Sequence, residues 1–142
     1  MSEDSDSPSA ALSIWLAYND ASNSGDHDLA GRYIDPRLAV LVNGAATVSS
    51  AAEDRLIQQE LIDCYPDYTR TYEGGLESGD RAVIEWTMRG SAAAGLDLPP
   101  LHVPGCSFIR CDGGRIVEAR LYHPTGVLDR VAERALSRSD RG

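Results

Sequence analysis

No run of apolar residues in this chain approaches the roughly 20 that a helix needs to cross a bilayer, so a helical membrane protein is excluded. Positive charge is scarce: 13 Lys and Arg face 22 Asp and Glu, for a net charge of −9. Binding along a nucleic-acid backbone needs clustered basic residues to neutralise phosphates, and the chain has no such cluster. Cysteine is also sparse. Cys64, Cys106 and Cys111 form an odd set without a disulfide-framework spacing, which predicts reduced, buried thiols. The opening Met-Ser-Glu-Asp-Ser-Asp-Ser has neither the basic start nor the apolar segment of a secretory signal, so a cytoplasmic protein with a frayed acidic tail over residues 1–8 is expected. There is no Gly-rich phosphate loop, no nucleophile elbow and no Ser-His-Asp order. His102, Cys106 and Cys111 lack the spacing of zinc ligands, so neither a metal nor a cofactor is expected.

What is present suits one domain with one core, expected over residues 9–136 of the 142, followed by a polar tail over 137–142. Ser7-Pro8-Ser9 offers a serine cap and a first-turn proline ahead of a helix over Ala10 to Ser22. Leu12, Trp15, Leu16 and Asn19 fall on one side of it, with Tyr18 adjacent. Asp26 caps a short second helix through Tyr33, and Asp35-Pro36 ends it. Ala39 to Asn43 reads as a strand closing on Asn43-Gly44. Ser50-Ala-Ala-Glu53 has the capping-box pattern of a helix start, and Leu56, Ile57, Leu61 and Cys64 continue that helix until Pro66 stops it. From there the period is two. Strands are predicted over Thr69 to Leu76, Arg81 to Arg89, Leu101 to Cys111 and Arg115 to Tyr122, with turns at Ser78-Gly-Asp80 and Asp112-Gly-Gly114 and a loop over Gly90 to Pro100. A helix from about Gly126 to Leu136 closes the domain. Helices segregated from a run of antiparallel strands signal an α+β fold with a pocket between its two layers.

The set Trp15 and Asn19, Val-Asn-Gly44, Tyr65-Pro-Asp-Tyr68, Val-Ile-Glu-Trp86 with Met-Arg-Gly90, and Gly114-Arg-Ile-Val-Glu118 to Tyr122 resembles the SnoaL-like, polyketide cyclase-like branch of the nuclear transport factor 2 superfamily. The resemblance implies a conical barrel of a bent antiparallel or mixed sheet wrapped on N-terminal helices. It further implies a deep apolar pocket and a homodimer formed through the outer sheet face. Cyclases of that branch carry an acid/base aspartate in a pattern similar to Ile-x-Glu-x-x-x-Tyr-Asp. Ile116, Glu118 and Tyr122 fit this pattern, and His123 stands at the aspartate position. The family's Gly-Thr-His segment reads Gly90-Ser91-Ala92 here, which makes His102 a candidate for the relocated histidine.

Strand alternation places Val117, Ala119, Leu121 and His123 on one face, the pocket wall, and Ile116, Glu118, Arg120 and Tyr122 on the outer one. In the preceding long strand it sets Ala82, Ile84, Trp86 and Met88 inward and Glu85 outward. His123 and His102 are therefore the catalytic candidates, because histidine takes and gives protons near neutral pH. Either could instead be a plain surface or strand-end histidine. Trp15, Tyr18, Asn43, Tyr65, Trp86 and Leu121 are the candidate substrate-binding residues; the aromatic ones read equally as core, and Asn43 as turn chemistry with Gly44. The function expected is an acid/base enzyme, independent of cofactors, that cyclises or isomerises a small apolar, polyketide-like natural product. The alternatives are an epoxide hydrolase or epoxide-opening cyclase, and a non-catalytic accessory protein that binds a small molecule.

Overall fold

The structure, a computed structural model, describes residues 10–124 and 126–141; the expected acidic tail lies outside them. Its first helix, α1 (Ala11–Asn23), buries Ile14, Trp15, Tyr18 and Asn19 along one stripe. The cap position is Ala10, which offers no side-chain acceptor. The Glu77 carboxylate instead accepts from the free Leu12 N–H at 3.1 Å, tying the helix start to the sheet. A short α2 (His27–Gly31) follows, capped by Asp26, whose carboxylate accepts from Leu29 N–H.

Strand β1 (Ile34–Val42) begins earlier than its apolar run suggests and contains Pro36. Proline is tolerated because the register with the neighbouring strand is broken between Ile34 and Ala39, where no ladder N–H is required of it. Asn43 and Gly44 both hold positive φ, 52° and 87°, the left-handed pair that a two-residue hairpin needs. That hairpin leads into β2 (Ala45–Val48), an additional edge strand that Ala-Ala-Thr-Val does not announce.

In α3 (Ala51–Cys64) the Ser50 hydroxyl accepts from Glu53 N–H at 3.1 Å as the capping box requires. Glu53 reaches back one residue further than expected, accepting from Ser49 N–H at 2.8 Å. Leu61 and Cys64 are buried while Leu56 is exposed. The remaining strands are β3 (Thr69–Ser78), β4 (Arg81–Gly90), β5 (Leu101–Asp112) and β6 (Arg115–Tyr122), and α4 (Val127–Arg141) closes the chain. This last helix runs on beyond Leu136, through much of the expected tail.

Among the described residues, six strands form one open mixed sheet in the order β2-β1-β6-β5-β4-β3, with β1 parallel to β6 and every other pair antiparallel. The helices close the ends of the curved sheet, α3 packing on α4 where Arg134 Nε donates to the buried Glu60 at 3.1 Å. The inward face carries Leu38, Val40, Ile84, Trp86, Ser107, Ile109 and Ala119, all buried. Ile116 belongs to it as well, against the alternation expected of β6. Cys111 pairs with Ile116 and Arg110 with Glu118, so Val117 is an extra residue, and this bulge turns Ile116 inward. Cys64 and Cys111 are buried thiols and Cys106 is half-buried. No helix among the described residues is long and apolar enough to cross a membrane.

Candidate active site

Arg70 is the residue around which the interior is organised. On β3 it alone is buried, at 5 % exposure, and the strand lies at the sheet edge, where backbone groups pointing away from β4 lack a ladder partner. Asn19 and Asn23, four residues apart on one face of α1, supply the partners. Both side-chain amides donate to Arg70 C=O at 2.9 Å, and Asn23 Oδ1 accepts from Arg70 N–H at 2.9 Å. Asn19 Oδ1 also accepts from Arg70 Nε at 2.8 Å, so one amide fixes both the backbone and the guanidinium. The guanidinium then lies among three rings, its central carbon 4.9 Å from the Trp15 ring centre, 5.6 Å from Tyr18 and 6.0 Å from Trp86.

Trp86 is held flat under this group. Its Nε1–H donates to Ser107 Oγ at 2.8 Å, and its ring crosses β5 at Gly105. A Cβ at that position would stand 2.5 Å from the Trp86 ring, so only glycine lets the indole lie there.

Beside Arg70 is a cavity of about 60 Å³ whose wall includes Trp15, Tyr18, Asp54, Ser107 and Leu121. Two further spaces share Asp54 and Gln58 with it. One is a cavity of about 90 Å³ towards α4, bounded by Leu121 and His123. The other is an open cleft of about 300 Å³ between α1, α2 and α3. That cleft is already of the size, roughly 300–1,000 Å³, usual for small-molecule sites.

Asp54 therefore stands at the junction of all three spaces. Its carboxyl is pushed up to about 6, chiefly because burial disfavours the ionised form; the positive charge of Arg70 opposes the shift. Burial likewise raises the Tyr18 hydroxyl, with Asp54 adding to the effect and Arg70 opposing it, and raises Tyr68. Both phenols are neutral donors at physiological pH. Tyr18, Asp54 and Arg70 come from α1, α3 and β3, and they place a hydroxyl, a titratable carboxyl and a cation around one space.

The residues singled out in the sequence divide by this geometry. Trp15, Tyr18 and Leu121 line the interior, and Trp86 lies beneath Arg70 with its ring 6.4 Å from that of His123. His123 is half-buried. Pro124 C=O, which can only accept, lies 2.8 Å from its Nδ1, a contact that a proton on Nδ1 satisfies. Asn43 is exposed, and its amide is committed to the backbone of His123 in both directions, at 3.0 and 3.1 Å. It is a brace for the strand end and not a cavity residue. Tyr65 is fully buried, but its hydroxyl donates to Pro99 C=O at 2.8 Å, anchoring the loop before β5 outside the cavity walls. His102 stands exposed opposite Arg89 on the outer face, apart from the interior. Glu85 is exposed on that face too.

Arg70 and Asp54 are the two polar groups the sequence reading passed over. Asp54 stands three, four and seven residues before Ile57, Gln58 and Leu61, a helical spacing that places it on the inward stripe.

Comparison with known proteins agrees with this architecture. A search of curated proteins finds no match. Among solved structures, a protein from Jannaschia sp. CCS1, provisionally named a SnoaL-like polyketide cyclase, is 17 % identical, with 80 % of this chain and 84 % of that one aligned and a TM-score of 0.66. AclR from Streptomyces galilaeus, provisionally a hydroxylase, is 16 % identical over 87 % of this chain and 96 % of its own, with a TM-score of 0.67. A nuclear transport factor 2-like protein of unknown function from Cytophaga hutchinsonii is 8 % identical over 83 % and 93 %, with a TM-score of 0.63. At such identities these likenesses show the fold alone. A family profile described as SnoaL-like domain matches residues 15–119, from the tryptophan that faces Arg70 to the alanine on the cavity wall. The chain belongs to the SnoaL-like domain family.

Proposed function

We propose that the protein is an acid/base enzyme that cyclises or isomerises a small, largely apolar molecule. The observation that carries this reading is the Asp54 carboxyl, pushed up to about 6 in a cavity wall shared with Tyr18 and Arg70. A carboxylate poised near the working pH balances readiness to accept a proton against the driving force for its transfer. Asp54 removes a proton next to a substrate carbonyl, the neutral Tyr18 hydroxyl donates to the carbonyl oxygen as negative charge develops there, and His123, across Leu121 in the adjoining cavity, serves the second proton transfer. The aromatic and aliphatic walls hold the substrate folded for reaction.

Convergence of three polar groups on one space favours this reading over that of a carrier, whose pocket can be almost wholly apolar. Epoxide opening by a pair of aspartates is less well supported. The other carboxylate near Asp54, Asp129, is committed to Gly126 N–H at 3.0 Å.

The test is deuterium exchange at the α-carbon of apolar ketones such as β-tetralone, followed by NMR. Wild type should exchange them faster than buffer, with a rate that rises as Asp54 ionises through pH about 6. Asp54→Asn should slow exchange by about a hundredfold or more. Exchange at the wild-type rate in a folded Asp54→Asn protein would overturn the assignment.

We further propose that a second copy of the chain covers the outer sheet face. Leu76 and Phe108, exposed at 79 % and 47 %, line a shallow concavity of about 490 Å³, and Tyr122, exposed at 42 %, meets the Phe108 ring edge-on. Glu118 lies between Arg110 and Arg120 at 3.4 and 3.3 Å, an alternation of sign that can meet its own copy across a two-fold axis.

A further inference from the structure

Arg70 is a buried cation with no direct salt bridge among the described residues, the charge of Asp54 acting on it from the same cavity wall. Among the described residues no salt bridge joins it, and its one side-chain acceptor from the amides is the neutral Asn19 Oδ1. A charge taken out of water is ordinarily paired, because an uncompensated one is strongly destabilising. Two sides of this guanidinium are accounted for. Nε is used by Asn19, and the rings of Trp15, Tyr18 and Trp86 surround the group. No buried polar side-chain atom among the described residues lacks a partner, so the remaining terminal N–H groups open on the cavity that Arg70 lines.

We propose that the ligand of this interior site carries a carboxylate, which Arg70 receives end-on through its two terminal nitrogens, in the direct ion pair that no carboxylate of the described residues makes. The statement rests on the interior being a ligand site, and it names the chemical class of that ligand. The paired terminal N–H groups of a guanidinium match the two oxygens of a carboxylate in one plane. The adjoining space, about 60 Å³, suits one carboxyl group, and the wider cleft of about 300 Å³ shares Tyr18, Asp54 and Gln58 with it. A phosphate would bring a second charge that no other cation in this wall could meet. Asp54, in the same wall, then acts on the ligand next to its anchored end.

The experiment is calorimetric titration of the purified protein with benzoate and naphthoate, each against its amide of the same shape. Wild type should bind the acids about thirtyfold more tightly than the amides, the size of a charge-assisted pair. Arg70→Gln should bind acid and amide alike, and Arg70→Lys should retain part of the difference. Asp54→Asn should bind the acids at least as tightly as wild type while losing ketone exchange, so failure of the anion site and failure of the proton-transfer reading are told apart. Equal affinity for acid and amide in wild type, or no binding of either at millimolar concentration, overturns the proposal without recourse to any variant. So does a preference for the acid that survives in Arg70→Gln.

Discussion

The two faces of one sheet solve the problem of charge in opposite ways. On the inner face a guanidinium is boxed by Trp15, Tyr18 and Trp86, hydrogen-bonded to a neutral amide, and among the described residues no carboxylate touches it directly. On the outer face Arg110 and Arg120 share Glu118 in half-exposed pairs, where water and salt screen the attraction and the energy at stake is small. Structure is held by the second arrangement at little consequence. The first keeps an electrostatic gap open at the expense of stability, and such gaps are where binding and proton transfer are done.

The comparison can be broken most forcefully through the aromatic residues. Trp86→Ala on the inner face should destabilise the protein by about 3–5 kcal/mol in urea denaturation, whereas Phe108→Ala on the outer face should lower it by less than about 1 kcal/mol in the separated chain. Similar losses at the two sites would mean that the outer face is also covered in solution.

Asp54→Asn comes next, and its sign is opposite. The folded-state value of this carboxyl lies above its ordinary 3.8, so its contribution is favourable below 3.8 and is lost as pH rises through about 6. Above that pH the asparagine variant should therefore be the more stable protein, by about 3 kcal/mol at most, and the gain should vanish in acid. Denaturation midpoints across the pH range check this, and a variant less stable than wild type at pH above 6 would show that Asp54 is a structural charge.

A double change on the outer face, Leu76→Glu with Phe108→Glu, should give a monomer by sedimentation while ketone exchange stays within a factor of a few of wild type. Smallest of all, Arg120→Ala should shift stability by less than about 1 kcal/mol, and salt should erase even that.

Much of the fold could be read before any coordinates, because its signals are local. The stripe of Trp15, Tyr18 and Asn19, the Ser50 cap, the Asn43-Gly44 turn and the period-two strands each follow from nearest-neighbour geometry. The features that went unread depend on long-range partners. Arg70 in Thr-Arg-Thr-Tyr-Glu looks like an ordinary solvent-facing strand residue until α1 is laid along the edge of β3. The bulge at Val117 leaves no mark in Arg-Ile-Val-Glu-Ala, yet it moves Ile116 from one face to the other. The emphasis on His123 came from the strand end, which is legible, whereas the acidic member of the site sits on a helix whose polar residues resemble a solvated face.

The clamp of Asn19 and Asn23 on Arg70 has a bearing on behaviour in a crowded solution. An edge strand with open backbone groups is a template on which another chain can add a strand. Here α1 lies along that edge, joined to β3 near one end through Leu12 and Glu77 and near the other through the two asparagines. The same amides that orient the guanidinium thus cover the β3 edge at Arg70 against strand addition. Replacing them would free an arginine and also expose a sticky border, and the first sign of a damaged site would be protein lost to aggregates.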